Sequence, residues 1–152
     1  MDDPQCPNCW IGHGFKDAER SVIGEIKTEV KRLSTLYGTK KVQTTGHSLG
    51  GALANLAALD LAVAGYNVEM YTFGQPRVGN PAYAKYHKSK VPNQFRVVHY
   101  RDPVPQVPDR YMGFNWYDHS AQEIWEDQNG NLKICSAEDG EDDTCSNTVW
   151  YY

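Results

Sequence analysis

Gly46-His47-Ser48-Leu49-Gly50 runs directly into Gly51-Ala52-Leu53-Ala54, and this stretch holds residue types suited to nucleophilic attack on a carbonyl carbon. A serine hydroxyl is a poor nucleophile at neutral pH. It needs a histidine to take its proton and a carboxylate to hold that histidine's tautomer. The five-residue Gly-x-Ser-x-Gly pattern alone is weak, because it also arises by chance in closely packed helices. Its flanks make it specific. Residues 41–45, Lys-Val-Gln-Thr-Thr, read as a strand, and residues 48–64, rich in Ala and Leu, read as a helix. Strand, sharp turn and helix form a nucleophile elbow, in which Gly46 and Gly50 are expected to let strand and helix approach closely around a strained Ser48. The Leu49 N–H, at the helix N-terminus, would then face a developing oxyanion. Asp102, after a strand-like run over residues 95–100, is the candidate carboxylate. The chain order Ser, Asp, His selects His119 as base, because His13, His47, His87 and His99 all precede Asp102.

Other elements must hold these groups in place. Apolar residues at Phe15, Ala18, Val22, Ile26, Val30, Leu33 and Tyr37 recur every three or four positions and predict one amphipathic helix, ended by Gly38. Gly65 closes the helix after Ser48, and residues 68–73 read as a strand. A third helix opens at Pro81 and stops at Pro92, before the strand at 95–100. This alternation predicts a mostly parallel α/β sheet with right-handed crossovers and with its chemistry at the carboxyl ends of the strands. Ser48 and Asp102 both fall at such ends. Beyond Asp102, prolines 103, 105 and 108 mark a loop. Glu123-Ile124-Trp125 and Leu132-Lys133-Ile134-Cys135 then flank an Asn129-Gly130 turn and predict a C-terminal β-hairpin. No repeat, low-complexity tract or linker divides the 152 residues, which suffice for one domain burying about 70% of its unfolded surface.

A net charge of −4 with scattered Lys and Arg offers neither a basic face for nucleic acid nor a polybasic membrane patch. No run approaches the roughly 18 apolar residues of a membrane span, and Met1-Asp2-Asp3-Pro4 does not read as a signal peptide. Cys6, Cys9, Cys135 and Cys145 could form two short-loop disulfides or hold zinc. The nine residues between Cys135 and Cys145 are too many for a zinc knuckle, so the spacing favours disulfides and an oxidising compartment. The acidic run at 138–143 lacks the ligand alternation of a calcium loop and reads as a solvated loop inside the second cysteine pair.

Five segments in this order resemble the class 3 lipases, the fungal-type triacylglycerol lipases and their feruloyl esterase relatives. They are Cys6-Pro7-Asn8-Cys9 leading to Gly14-Phe15; Thr45 through Ala54; Tyr71-Thr72-Phe73-Gly74-Gln75-Pro76-Arg77-Val78-Gly79-Asn80; Arg101-Asp102-Pro103-Val104-Pro105 through Pro108; and His119-x-x-x-Glu123-Ile124-Trp125 with the Cys135 and Cys145 pair. The resemblance covers nearly the whole chain. It implies an α/β-hydrolase fold, Ser48 as nucleophile, Asp102 as triad acid, and no metal or cofactor. It also implies secretion and a carboxylic ester substrate, foremost a triacylglycerol met at a lipid–water interface, with feruloyl or other esters as the alternative. In these lipases the triad histidine lies in a His-x-x-Tyr segment beyond the second cysteine pair, and the histidine of His-x-x-x-Glu-x-Trp is not the base. That segment, the family's amino-terminal strands, its lid and its second oxyanion loop are not among residues 1–152. The resemblance therefore reads the chain as a partial domain, either of an active hydrolase or of a non-catalytic remnant, with oligomeric state and acyl preference left open.

Overall fold

The helical pattern over residues 15–37 resolves into two helices, α1 (His13–Arg20) and α2 (Ile23–Tyr37), in a computed structural model that describes residues 6–113 and 115–149. The single expected helix breaks at Ser21 and Val22. Ser21 donates its hydroxyl to the Ala18 carbonyl at 2.7 Å, and Val22 leaves helical geometry at φ −125°. The break keeps the apolar spacing but separates two fates: α1 buries Glu19, whereas α2 has no buried residue. Gly38 ends α2 in the left-handed region, at φ 62°.

Strand β1 (Lys41–His47), helix α3 (Leu49–Val63), strand β2 (Asn67–Phe73), helix α4 (Pro81–Lys90) and strand β3 (Asn93–His99) then alternate as the sequence pattern predicts. Asn80 caps α4 by accepting the Tyr83 N–H at 2.9 Å, and Pro81 occupies the first turn, where no N–H is needed. The three strands pair in parallel, β1 with β2 and β2 with β3. A short ribbon, β4 (Tyr111–Met112) with β5 (Asn115–Trp116), follows, and then the hairpin of β6 (Glu123–Glu126) and β7 (Leu132–Ile134) extends the sheet to the order β1-β2-β3-β6-β7. Strand β6 is parallel to β3, and β7 antiparallel to β6. The ribbon is not legible in the sequence, because two-residue strands are too short to show alternation.

The core lies on one face of the sheet. Val68 and Met70 of β2 pack with Ala58, Leu61 and Val91, while Ala52, Leu56 and Leu59 of α3 pack with Val78, Tyr83 and the first disulfide. Both Cys6–Cys9 and Cys135–Cys145 are disulfide-bonded, which uses the thiolates that a zinc site would need. On the other face Phe73, Val97, Ile124 and Ile134 stand in register across four strands, with Phe73 and Ile134 left 45% and 70% exposed. Among the described residues no helix is long and apolar enough to cross a membrane.

Candidate active site

Ser48 joins β1 to α3 at φ 54° and ψ −127°, a conformation L residues rarely adopt. Backbone bonds hold it: the Ser48 N–H donates to the Phe73 carbonyl at 2.9 Å, and the Ser48 carbonyl accepts the Gly51 and Ala52 N–H groups at 2.9 and 3.4 Å. A Cβ on Gly46 would fall on the Gly50 carbonyl and stand 2.7 Å from the Gly51 nitrogen. One on Gly51 would press against the Gln75 Cβ at 3.1 Å. Gly50 differs, with nothing within 4 Å of the position a Cβ would take. The close approach expected of Gly46 and Gly50 therefore belongs to Gly46 and Gly51, because the helix turns residue 50 away from the sheet. Leu49 opens α3, so its N–H is a first-turn donor without an intrahelical acceptor, at the positive end of the helix.

Asp102 follows the end of β3. Tyr100 turns the chain at φ 38°, and the Asp102 N–H donates to the His99 carbonyl at 2.9 Å. The Asp102 Oδ1 accepts the Val104 N–H at 3.0 Å, and Oδ2 lies 2.5 Å from where a Cβ of Gly74 would be. Gly74, at φ 55°, follows Phe73, whose carbonyl holds Ser48. The adjacent ends of β1, β2 and β3 thus bring Ser48, Gly74 and Asp102 side by side, and a side chain at Gly74 would displace the carboxylate. Beside Leu49 lies a groove of about 440 Å³ lined by Gly12, His13, Gly14, Phe15, Leu49 and Tyr117.

Three of the five histidines face other partners, whereas His47 and His13 lie beside the site. His87 Nε2 is 2.9 Å from the Asn55 carbonyl, His99 Nδ1 is 2.9 Å from Glu126 Oε2, and His119 Nε2 is 2.7 Å from the Pro105 carbonyl. The His47 Nε2 is 3.7 Å from the position of a Gly74 Cβ, and His13 lines the groove. Chain order selects His119, yet this residue is buried, with its Nε2 on a carbonyl and its Nδ1 without a partner.

Around His119 sits a buried ionic cluster that the sequence reading missed. Arg77 donates through Nε and Nη2 to the two Glu141 carboxylate oxygens at 2.8 and 2.7 Å. Arg96 donates through Nη2 to Glu123 at 2.8 Å and to the Gly140 carbonyl at 3.0 Å. The acidic run at 138–143 is thus not wholly solvated as expected. It folds Glu141 inward at Gly140, where a Cβ would fall on the His119 carbonyl. The available signals were Arg77 inside the Gly74-Gln75-Pro76-Arg77 turn and a glycine in the middle of the acidic run.

Burial, the largest single influence, would raise the Glu141 carboxyl, but the Arg77 hydrogen bonds and the neighbouring positive charges together outweigh it and lower the value to about 2. Burial holds His119 well below the ordinary histidine range and lowers His87 to about 4, so both are neutral. The signs of these shifts agree. Below about pH 6.5 the unfolded chain binds two histidine protons that the native state refuses, so stability falls with decreasing pH at up to about 2.7 kcal/mol per unit. Below about pH 4.3 Glu141 adds to the loss, because its native carboxylate is the paired form. Urea midpoints between pH 7.5 and 4.5 are expected to show this slope, with His119→Gln removing about half of it.

Residues 1–112 match the family model described as lipase (class 3). The secreted mono- and diacylglycerol lipase 1 of Fusarium solani is 40% identical over 119 residues, which are 78% of this chain and 35% of that protein. The solved lipase II from Rhizopus niveus superposes with a TM-score of 0.89 at 35% identity, covering 99% of this chain and 58% of that one. A triacylglycerol lipase whose catalytic centre is described as a serine protease triad aligns with a TM-score of 0.89 at 36% identity, over 100% of this chain and 58% of its own. The chain therefore spans just over half of these solved lipases and about a third of the Fusarium protein.

Proposed function

The chain belongs to the class 3 lipase family and has an α/β-hydrolase fold, and from that premise we propose that it is the nucleophile- and acid-bearing part of a serine ester hydrolase acting on acylglycerols. Ser48 attacks the ester carbonyl, a histidine takes its proton and returns it to the leaving alcohol, and Asp102 holds that histidine's tautomer. The Leu49 N–H supplies one donor of the oxyanion hole. The observation that carries this reading is the strained Ser48 at the end of β1, bonded through its N–H to Phe73, with the Asp102 carboxylate against the neighbouring Gly74. The base comes from outside residues 1–152, a reading supported by the rings of His87, His99 and His119, which face Asn55, Glu126 and Pro105. The apolar groove beside Leu49 suits an acyl chain. Two disulfides suit secretion, and the Fusarium relative carries that word in its name.

The partial-domain reading draws support from surfaces left open. Leu36 and Tyr37 of α2 are 63% and 71% exposed, β1 lies at the sheet edge, and Phe73 and Ile134 are bare on the uncovered face. An unpaired edge beside exposed apolar residues promotes association. The isolated chain is therefore expected to self-associate in size-exclusion chromatography. A monodisperse monomer with one cooperative melt would instead support a self-standing remnant.

The function is tested on the natural gene product by hydrolysis of dibutyrin and tributyrin emulsions. Ser48→Ala is expected to lower kcat on the order of a million-fold, and Asp102→Asn on the order of ten thousand-fold. Hydrolysis unchanged by Ser48→Ala would remove the nucleophile assignment.

A further inference from the structure

Two residues, Arg77 and His119, hold four successive backbone carbonyls after Asp102. His119 donates Nε2–H to the Pro105 carbonyl at 2.7 Å. Arg77 donates through Nη1 to the Gln106 carbonyl at 2.7 Å and to that of Pro108 at 3.1 Å, while its backbone N–H donates to the Val107 carbonyl at 3.0 Å. This segment begins with the 3-10 turn Val104–Gln106, whose first N–H donates to Asp102 Oδ1 at 3.0 Å. Prolines at 103, 105 and 108 leave it few donors, so strand pairing cannot fix it. Anchoring through its acceptors is the route that remains.

The clamp is itself fixed from the far end of the chain. Glu141 holds the Arg77 fork and accepts the His119 N–H at 2.9 Å, and it lies in the loop closed by Cys135–Cys145. Asn147 donates to the Glu141 carbonyl at 3.1 Å and accepts from the Gln106 side chain at 3.3 Å, joining the same loop to the turn a second time.

We infer that Arg77, His119 and Glu141 are positioning residues that set where Asp102 presents its carboxylate, making the C-terminal disulfide loop part of the active-site scaffold. A neutral His119 suits this work, since its Nε2–H is committed to Pro105 and takes no part in proton shuttling. The Arg77 guanidinium puts its Nε and Nη2 fork on Glu141 and still has Nη1 for the Gln106 and Pro108 carbonyls, two faces that a single ammonium nitrogen could not serve in this planar geometry. The inference rests on Asp102 being the triad acid, but the placement of Asp102 can be measured whether or not it takes part in ester cleavage.

The test is hydrogen exchange followed by mass spectrometry at low micromolar concentration. Between Asp102 and Asp109 only Val104, Gln106 and Val107 carry amides, so a peptide spanning them reports the turn almost residue by residue. Glu141→Gln and His119→Ala are expected to speed exchange there on the order of tenfold while peptides from β2 stay unchanged. His119→Gln, which keeps a side-chain N–H for Pro105, is expected to remain near the parent. Unchanged exchange in the 102–109 peptide of both Glu141→Gln and His119→Ala overturns the inference. So does acceleration of β2 and the turn together in His119→Gln as well as His119→Ala, which would mark the cluster as a support of the whole fold. If Glu141→Gln does not fold, the His119 pair decides alone.

Discussion

The 152-residue chain alone is expected to react with a fluorophosphonate on the order of a million-fold more slowly than a complete serine hydrolase. Such probes phosphonylate a serine only when it behaves as a nucleophile, so labelling reads the same activation that ester attack requires. Under the proposed function, residues 1–152 supply part of that machinery. Ser48 is strained at the turn, the Leu49 N–H opens α3, and Asp102 stands against Gly74. Under the same proposal, proton removal is the part supplied from outside residues 1–152. Triad members act as a unit, so losing the base costs about as much as losing all of them, near 8 kcal/mol of barrier. Imidazole added to the buffer is expected to restore part of the labelling in the parent and none in Ser48→Ala. Fast labelling of the parent without imidazole, abolished by Ser48→Ala, would instead place the base within residues 1–152. Then His13, on the groove beside Leu49, and His47, close to Gly74, become the candidates, and alanine variants of each would identify it.

The elbow was readable from sequence because its signals are local. Two glycines, a serine, a β-branched strand before and an Ala-rich helix after all constrain the same few turns of backbone. Asp102 was readable because the order of strands places it at the same sheet edge as Ser48. The Arg77–Glu141 pair was not, since its partners lie 64 positions apart and one sits in a run whose composition argues for solvent. Nor was the break at Ser21–Val22, because two intervening residues left the three- and four-residue apolar spacing undisturbed. His119 shows a different limit. Chain order can say that a histidine follows an aspartate, but not that the fold spends its Nε2 on the carbonyl of Pro105.

Gly46→Ala is expected to destabilise the protein by on the order of 3–5 kcal/mol, whereas Gly50→Ala, at the other glycine of the same motif, is expected to be neutral or stabilising by up to about 1 kcal/mol. The difference is one of available space. At Gly46 the new methyl meets the Gly50 carbonyl and the Gly51 nitrogen, both backbone atoms of the first turn of α3, which cannot swing aside as a side chain could. Relief would require β1 and α3 to separate, loosening the packing of Ala52 and Leu56 and the backbone bonds that hold Ser48 in its strained conformation. At Gly50 the methyl meets nothing within 4 Å, and alanine lowers the entropy that a helical glycine loses on folding. For a domain whose net stability is about 5–15 kcal/mol, the first change removes a third or more of it. Urea unfolding at constant m value separates the two variants cleanly. Equal midpoints would mean that strand and helix do not approach at Gly46 as described. The expected split would mean that the first glycine of the motif makes room for the first turn of α3 behind Ser48, while the second is not sterically required.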